Sequence, residues 1–203
     1  TDEYETTGSL PEEVPFFAAQ TPESLAISPR GKVPVLGVEQ GFINETSVIL
    51  EYIEQTQPGP KLLPVDPFER AQVLALAKEI ELYIELPARA CYAEAFFGMP
   101  VPDAIKAKAR TELLEGMASL GRHGKFAPFV AGETLSVADI YFAYSVNLAC
   151  AVGHKIFGLD LLADMPGAKA LLERLGQNPH VQKIDADKEA AMQQFLAWIS
   201  SKK

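Results

Sequence analysis

Residues 32–55 read KVPVLGVEQGFINETSVILEYIEQ, and the fold is decided in this stretch. Residues 32–38 are apolar and rich in β-branched side chains, which predicts a short strand. Gln40-Gly41 then leads into Phe42 and Ile43, so a second strand should pair with the first as a hairpin. From residue 45 to residue 55 the apolar side chains recur at helical spacing, which predicts that a helix follows at once.

The residues around this stretch extend the pattern. Glu13–Phe17 is predicted to be a short strand, and Thr21–Ile27 a turn of helix closed by Ser28-Pro29-Arg30-Gly31. At the start of the second helix, side-chain oxygens could cap the exposed amides. The residues that supply them are Asn44, Glu45 and Thr46.

A proline-rich segment follows the helix. Residues 57–67 contain four prolines and one glycine, which cannot continue a helix and suit a stiff linker. Beyond it the apolar periodicity is helical throughout. The stripe that carries this prediction is Val73, Leu76, Ala77, Ile80 and Ile84, and further helical segments are Ala104–Leu120, Val137–Val152, Ala168–Leu175 and Asp187–Ile199. We therefore expect a first domain at 1–56, a linker at 57–67 and an all-α domain at 68–203.

One local motif in the second domain gives a specific prediction. Ser136 and Asp139 have the spacing of a capping box, in which each side chain accepts from the backbone amide of the other. Leu135 and Ile140 stand where a hydrophobic staple forms. The prediction is a helix that begins at Ser136.

Composition narrows the class of protein. Among 203 residues, 18 are basic and 27 acidic, giving a net charge of -9 that disfavours nucleic acid as a partner. No apolar run is long enough to cross a membrane, and the acidic start is unlike a signal peptide, so the cytoplasm is the expected location. Cys91 and Cys150 are far apart in apolar segments, which predicts buried free thiols. The three histidines lack metal-ligand spacing.

Several motifs in one order resemble the glutathione transferase superfamily, of the bacterial cytosolic type. They are Gly31-Lys32-Val33-Pro34-Val35-Leu36, then Asn44-Glu45-Thr46, then the proline-rich linker, then Ser136-Val137-Ala138-Asp139. The resemblance covers residues 12–203. It implies an α/β thioredoxin-like N-terminal domain followed by an all-α helical-bundle domain, a homodimer, and a detoxification role.

The resemblance also implies a glutathione site. Val33 and Pro34, joined in the family by a cis peptide bond, would present an extended edge to the cysteinyl group. Glu45 would face the ligand ammonium, while Thr46 and the amides of the helix start would bind the γ-glutamyl carboxylate. Lys32 would attract the glycyl carboxylate. Taken alone, these features also fit an ordinary edge strand, a capped helix and a surface lysine.

The residue that activates the thiol in the family is not identifiable in this chain. A Tyr, Ser or Cys normally lies in a first strand and helix, some two dozen residues ahead of the strand expected at Glu13. Thr1–Leu10 is too short and too polar for such a unit, so this unit is expected to be missing or replaced, and omission from the sequence is favoured. Tyr4 and Ser9 are the hydroxyl residues there, and neither has a family-like context.

Two functions remain open on the sequence. The first is an enzyme that transfers the glutathione thiolate to a small, electrophilic, hydrophobic co-substrate. The second is a non-catalytic binding or scaffold protein, since one fold serves many functions. A cysteine-dependent thiol reductase is weaker, for lack of a nucleophile. Aromatic and sulfur side chains of the second domain are candidates for the electrophile site; they are Tyr83, Tyr92, Phe96, Phe97 and Met99.

Overall fold

The computed structural model describes residues 21–201 of the chain. Its contacts divide into two compact units, separated between Pro60 and Lys61. The second unit runs to Glu189, and the residues from Ala190 onward group with the first. The strand expected at 13–17 lies outside the described residues, and the domain bounds expected from the sequence stay a prediction.

The first unit contains the predicted hairpin between two helices. Helix α1 spans Pro22–Ile27, strand β1 Val35–Val38, strand β2 Gly41–Asn44 and helix α2 Thr46–Thr56. The strands are antiparallel, with Val35 opposite Asn44 and Val38 opposite Gly41. Both helices and the hairpin are confirmed, although β1 begins three residues later than the sequence predicted. Thr21 caps α1 by accepting a hydrogen bond from the Ser24 amide.

The second unit is helical, as predicted. Its α-helices are α3 Pro67–Ile80, α4 Leu86–Arg89, α5 Tyr92–Phe97, α6 Asp103–His123, α7 Val137–Tyr141, α8 Asn147–Val152 and α9 Pro166–Gly176. Helix α10, Pro179–Ser201, runs on past the end of this unit. The start of α3 shows how a local sequence sets a boundary, because the Asp66 carboxylate accepts from the amides of Phe68 and Glu69 and Pro67 occupies the first turn.

Three π-helical turns interrupt these helices, and the sequence periodicity did not predict them. Glu81–Glu85 joins α3 to α4, Phe142–Val146 joins α7 to α8, and Gly153–Phe157 follows α8. The first two turns are linked by a hydrogen bond of 2.6 Å that the Ser145 hydroxyl donates to Glu85. The segment predicted as one helix over 137–152 is therefore helical throughout, but with a widened turn in its middle.

The core of the second unit forms around the predicted stripe on α3. Val73, Ala77, Ile80 and Ile84 are buried, while Leu76 is half-buried. Ser136 and Asp139 form the predicted capping box at the start of α7. The Asp139 carboxylate, 1% exposed, accepts from the Ser136 amide at 2.8 Å and the Ser136 hydroxyl at 2.9 Å, and also from the Val130 amide at 2.8 Å.

Both cysteines are free thiols, as predicted, but only Cys91 is fully buried. Burial raises the pKa of the half-buried Cys150 to about 11. Among the described residues, no helix is long and apolar enough to cross a membrane, and no group of three or more His, Cys, Asp or Glu could hold a metal ion.

Candidate functional site

The residues expected to bind the ligand backbone lie just before β1. The peptide bond between Val33 and Pro34 is cis, as the resemblance implied. Both residues are exposed, as is Lys32 before them. The ladder with β2 begins at Val35, so the backbone N–H and C=O of Val33 lie outside it and can pair with an extended peptide.

The hairpin register brings the two predicted parts of the site together. Val35 pairs with Asn44, which is the last residue of β2. Pro34 and Glu45 each lie one residue beyond this pair, so they occupy the same end of the hairpin. The segment at 32–34 and the start of α2 are therefore neighbours, although ten residues separate Pro34 from Glu45 in the sequence.

The start of α2 is not capped as the sequence predicted. Glu45 is the N-cap residue, and its side chain makes no capping hydrogen bond. Its backbone has φ 74 and ψ 122, far from the extended conformation in which side chains cap a helix. The Asn44 amide instead donates to the Ile27 carbonyl oxygen at 3.2 Å. The exposed Thr46 lies in the first turn of α2, and the amides of Val48 and Ile49 donate to the Glu45 carbonyl oxygen at 3.0 Å.

The turn before Lys32 is held by reciprocal hydrogen bonds. The buried Ser28 hydroxyl donates to the Lys32 carbonyl oxygen at 2.7 Å and accepts from the Lys32 amide at 2.9 Å. Gly31 has φ 59, a conformation that glycine adopts easily, and its amide donates to the Ser28 carbonyl oxygen at 2.8 Å. Together with the bond from Asn44 to Ile27, these contacts fix the turn against the hairpin end.

A cation that the sequence interpretation did not assign to the site lies beside Glu45. The Arg30 guanidinium is 3.5 Å from the Glu45 carboxylate, and the two side chains are 75% and 64% exposed. From the sequence, Arg30 was expected only to form part of the turn that ends α1. Its position two residues before Lys32 was the available signal, because the same turn carries both cations.

The candidates for the electrophile site differ in exposure. Tyr83, Phe97 and Met99 are exposed, whereas Tyr92 is half-buried and packs edge-to-face on Phe96 with ring centroids 5.2 Å apart. The Tyr92 hydroxyl is buried without a hydrogen-bond partner among the described residues, and burial raises its pKa to about 12. Tyr4 and Ser9 lie outside the described residues.

Comparison with known proteins identifies the family. Residues 12–61 match the model of the glutathione S-transferase N-terminal domain. A glutathione S-transferase of Pseudomonas putida is 62% identical over 192 residues, which cover 95% of this chain and 87% of that protein. The chain belongs to the glutathione S-transferase family.

Solved structures agree with this assignment. Gtt2 from Saccharomyces cerevisiae is 27% identical with a TM-score of 0.64, covering 80% of this chain and 79% of that one. A maleylacetoacetate isomerase from Methylobacterium extorquens AM1, solved with bound malonate and glutathione, is 26% identical with a TM-score of 0.60, covering 80% and 77%. The glutathione transferase family, the thioredoxin-like plus all-α fold class and the enzyme class predicted from the sequence are therefore confirmed.

Proposed function

We propose that this glutathione transferase binds glutathione at Lys32, Val33, Pro34, Glu45 and Thr46 and transfers its thiolate to a small, electrophilic, hydrophobic co-substrate. Glutathione is the co-substrate expected of the family. The observation that carries the proposal is the hairpin register, which brings the cis Val33–Pro34 bond to the same end of the hairpin as the start of α2, where the Glu45 side chain makes no capping bond. A short peptide with charged ends needs an extended edge and an anion site side by side.

Each part of the ligand has a matching group. The cysteinyl backbone pairs with the free backbone of Val33, in the manner of a strand added to a sheet edge. The γ-glutamyl carboxylate lies at the start of α2, where the amides, the partial positive charge and the Thr46 hydroxyl favour an anion. Glu45 faces the ammonium, and Lys32 faces the glycyl carboxylate. The thiol then points away from both ends of the peptide.

The chemistry requires a thiolate. A free thiol has a pKa of about 8.5, so a hydrogen bond or a positive potential must stabilise the sulfur anion. Once ionised, the sulfur attacks the electrophilic atom of the co-substrate, a new bond to sulfur forms, and the leaving group departs or the adduct rearranges.

We further propose a homodimer that acts in the cytoplasm in detoxification, without nucleic acid or membrane as partner. An exposed apolar groove between the α3–α4 region and α6 supports the homodimer, because monomers rarely leave large apolar patches open to water. Leu82, Tyr83, Leu86 and Ile105 line it, and each is between 43% and 59% exposed.

Retention on immobilised glutathione tests the site. The wild type should be retained and Glu45→Ala should elute early, because the ligand ammonium loses its counter-charge. Glu39→Ala is the matched control, since it removes an exposed glutamate at the opposite end of the same hairpin and should elute with the wild type. Equal retention of the wild type and Glu45→Ala would remove Glu45 from the site.

Turnover then separates the enzyme from a binding protein. Purified wild type should conjugate glutathione to an activated aryl halide, and Glu45→Ala should raise KM for glutathione more than it lowers kcat. Retention on glutathione without turnover of any of a panel of electrophiles would favour a non-catalytic scaffold role instead.

A further inference from the structure

The start of α2 carries a pair of opposite charges rather than a single one. Glu45 is joined to Arg30 at 3.5 Å, and both side chains are mostly exposed. The two charges come from different segments, because Arg30 lies in the turn before β1 and Glu45 follows β2. The hairpin end therefore presents a negatively charged and a positively charged side chain next to each other, both open to solvent.

An amino-acid head group is the electrostatic complement of such a pair. Its ammonium and carboxylate are attached to one carbon and lie about 3 Å apart, close to the spacing of the Arg30 and Glu45 charges. The γ-glutamyl end of glutathione is a head group of this kind. We propose that Arg30 is a specificity-determining residue that binds the γ-glutamyl α-carboxylate while Glu45 binds the adjacent ammonium. This inference rests on the proposed function.

The charge count at the site supports the assignment. Glutathione with a neutral thiol has two carboxylates and one ammonium. The hairpin end offers two cations, Arg30 and Lys32, and one anion, Glu45. With Arg30 included, each charge of the ligand has its own counter-charge; without it, one carboxylate depends on helix amides and a hydroxyl alone.

Hydrogen bonds hold the backbone segments that carry the two charged residues. Ser28 makes two hydrogen bonds to Lys32, at 2.7 and 2.9 Å, which close the turn around Arg30. Asn44 donates to the Ile27 carbonyl oxygen at 3.2 Å and ties this turn to the end of β2, next to Glu45. Binding therefore needs only the two side chains to open.

Opening the pair costs little. Exposed ion pairs contribute little to stability, because water and salt screen them. A ligand that offers a carboxylate to Arg30 and an ammonium to Glu45 replaces one ion pair with two. A neutral or singly charged group at the same place cannot do so. The pair thus favours γ-glutamyl thiols over thiols that lack the head group.

The test measures dissociation constants by isothermal titration calorimetry for three ligands. They are glutathione, glutaryl-cysteinylglycine, which lacks the ammonium, and 4-aminobutyryl-cysteinylglycine, which lacks the α-carboxylate. The proteins are the wild type, Arg30→Gln, Glu45→Gln and Arg110→Gln, the last being a control at an exposed arginine on α6. Urea unfolding of each variant shows whether it is folded.

We expect each variant of the pair to weaken the binding of a different pair of ligands. Arg30→Gln should raise the dissociation constants of glutathione and the glutaryl analogue by about tenfold and leave that of the aminobutyryl analogue nearly unchanged. Glu45→Gln should weaken glutathione and the aminobutyryl analogue and spare the glutaryl one. Arg110→Gln should change none of them. Substitution of a residue that only supports the local structure would weaken the binding of all three ligands alike.

Three outcomes overturn the inference, and they are distinguishable. If the wild type binds glutathione and Glu45→Gln weakens it while Arg30→Gln binds all three ligands like the wild type, Arg30 has no part in recognition and the proposed function stands. If the wild type binds none of the ligands, the proposed function fails and the inference fails with it. Equal weakening of all three ligands by Arg30→Gln also rejects the carboxylate assignment.

Discussion

The charged residues at the hairpin end of the first unit and the buried Asp139 of the helical unit lie in opposite environments. Among the described residues of the first unit, Leu36 and Ile49 are the buried apolar side chains, and the charged residues at the hairpin end are exposed. In the second unit, Asp139 is 1% exposed and accepts three hydrogen bonds inside a large apolar core. The charged side chains at the hairpin end are therefore open to solvent, whereas the Asp139 carboxylate is enclosed in a hydrogen-bonded network.

This difference has a physical reason. A buried carboxylate must keep its donors, because each donor or acceptor left without a partner costs about 1–3 kcal/mol. An exposed ion pair such as Arg30–Glu45 exchanges partners at little cost. Substitutions should therefore change stability in the helical unit and ligand affinity in the hairpin unit.

The largest expected effect is at Asp139. Asp139→Ala leaves the amides of Val130 and Ser136 without their acceptor, and should lower the free energy of unfolding by about 4 kcal/mol. Urea denaturation followed by circular dichroism measures it. Asp164→Ala, at an exposed aspartate, is the control and should stay within about 0.5 kcal/mol of the wild type. Equal stabilities would contradict the role of the buried network.

The second-largest effect on stability is expected at Gly116. A Cβ at this position of α6 would overlap the backbone carbonyl of Tyr83 in the first π-helical turn, which cannot move as a side-chain end can. Gly116→Ala should therefore lower the free energy of unfolding by about 3 kcal/mol. Gly176→Ala, with no atom within 4 Å of the added Cβ, should instead stabilise α9 by about 0.5–1 kcal/mol. The same sign for both variants would refute the close approach.

Substitutions at Glu45 should change both stability and ligand binding. Its φ of 74 is unfavourable for any residue with a Cβ, so Glu45→Gly should be about 1 kcal/mol more stable than Glu45→Ala. Both variants should bind glutathione more weakly than the wild type. Thermal unfolding and calorimetric titration measure the two properties. A glycine variant no more stable than the alanine variant would show that the backbone there is relaxed.

The smallest effect is expected in the pH dependence of stability. The Val101 amide, at 2.8 Å, and the Lys106 ammonium, at 3.2 Å, donate to the Glu94 carboxylate and lower its pKa from 4.5. The stabilisation is present above the ordinary pKa and is lost as pH falls through the lowered one.

Urea midpoints of the wild type and Glu94→Gln between pH 3 and 7 measure this effect. The wild type should be the more stable near neutral pH, and the difference should shrink towards pH 3. Glu115→Gln, at an exposed glutamate on α6, is the control, and its urea midpoint should change with pH as that of the wild type does. A Glu94→Gln difference that stays constant with pH would show that the carboxylate charge is not responsible.

Local sequence predicted local structure well in both units. The hairpin, the helix at 46–56 and the capping box of Ser136 and Asp139 follow from periodicity and from interactions over three or four residues. Helix capping at Asn44, by contrast, was predicted wrongly. The Asn44 side chain binds the carbonyl oxygen of Ile27, 17 residues away, and sequence spacing alone does not predict so distant a partner.

The sequence by itself determined the family, the order of the elements and the residue types of the candidate site, because motifs and periodicity are written in neighbouring residues. Only the tertiary structure decided that Arg30 meets Glu45, that Asp139 also binds the Val130 amide, and that Gly116 touches the backbone of Tyr83. Each of these contacts joins residues of different elements or turns, beyond the reach of helix or strand periodicity, and its geometry is set by folding within its own unit.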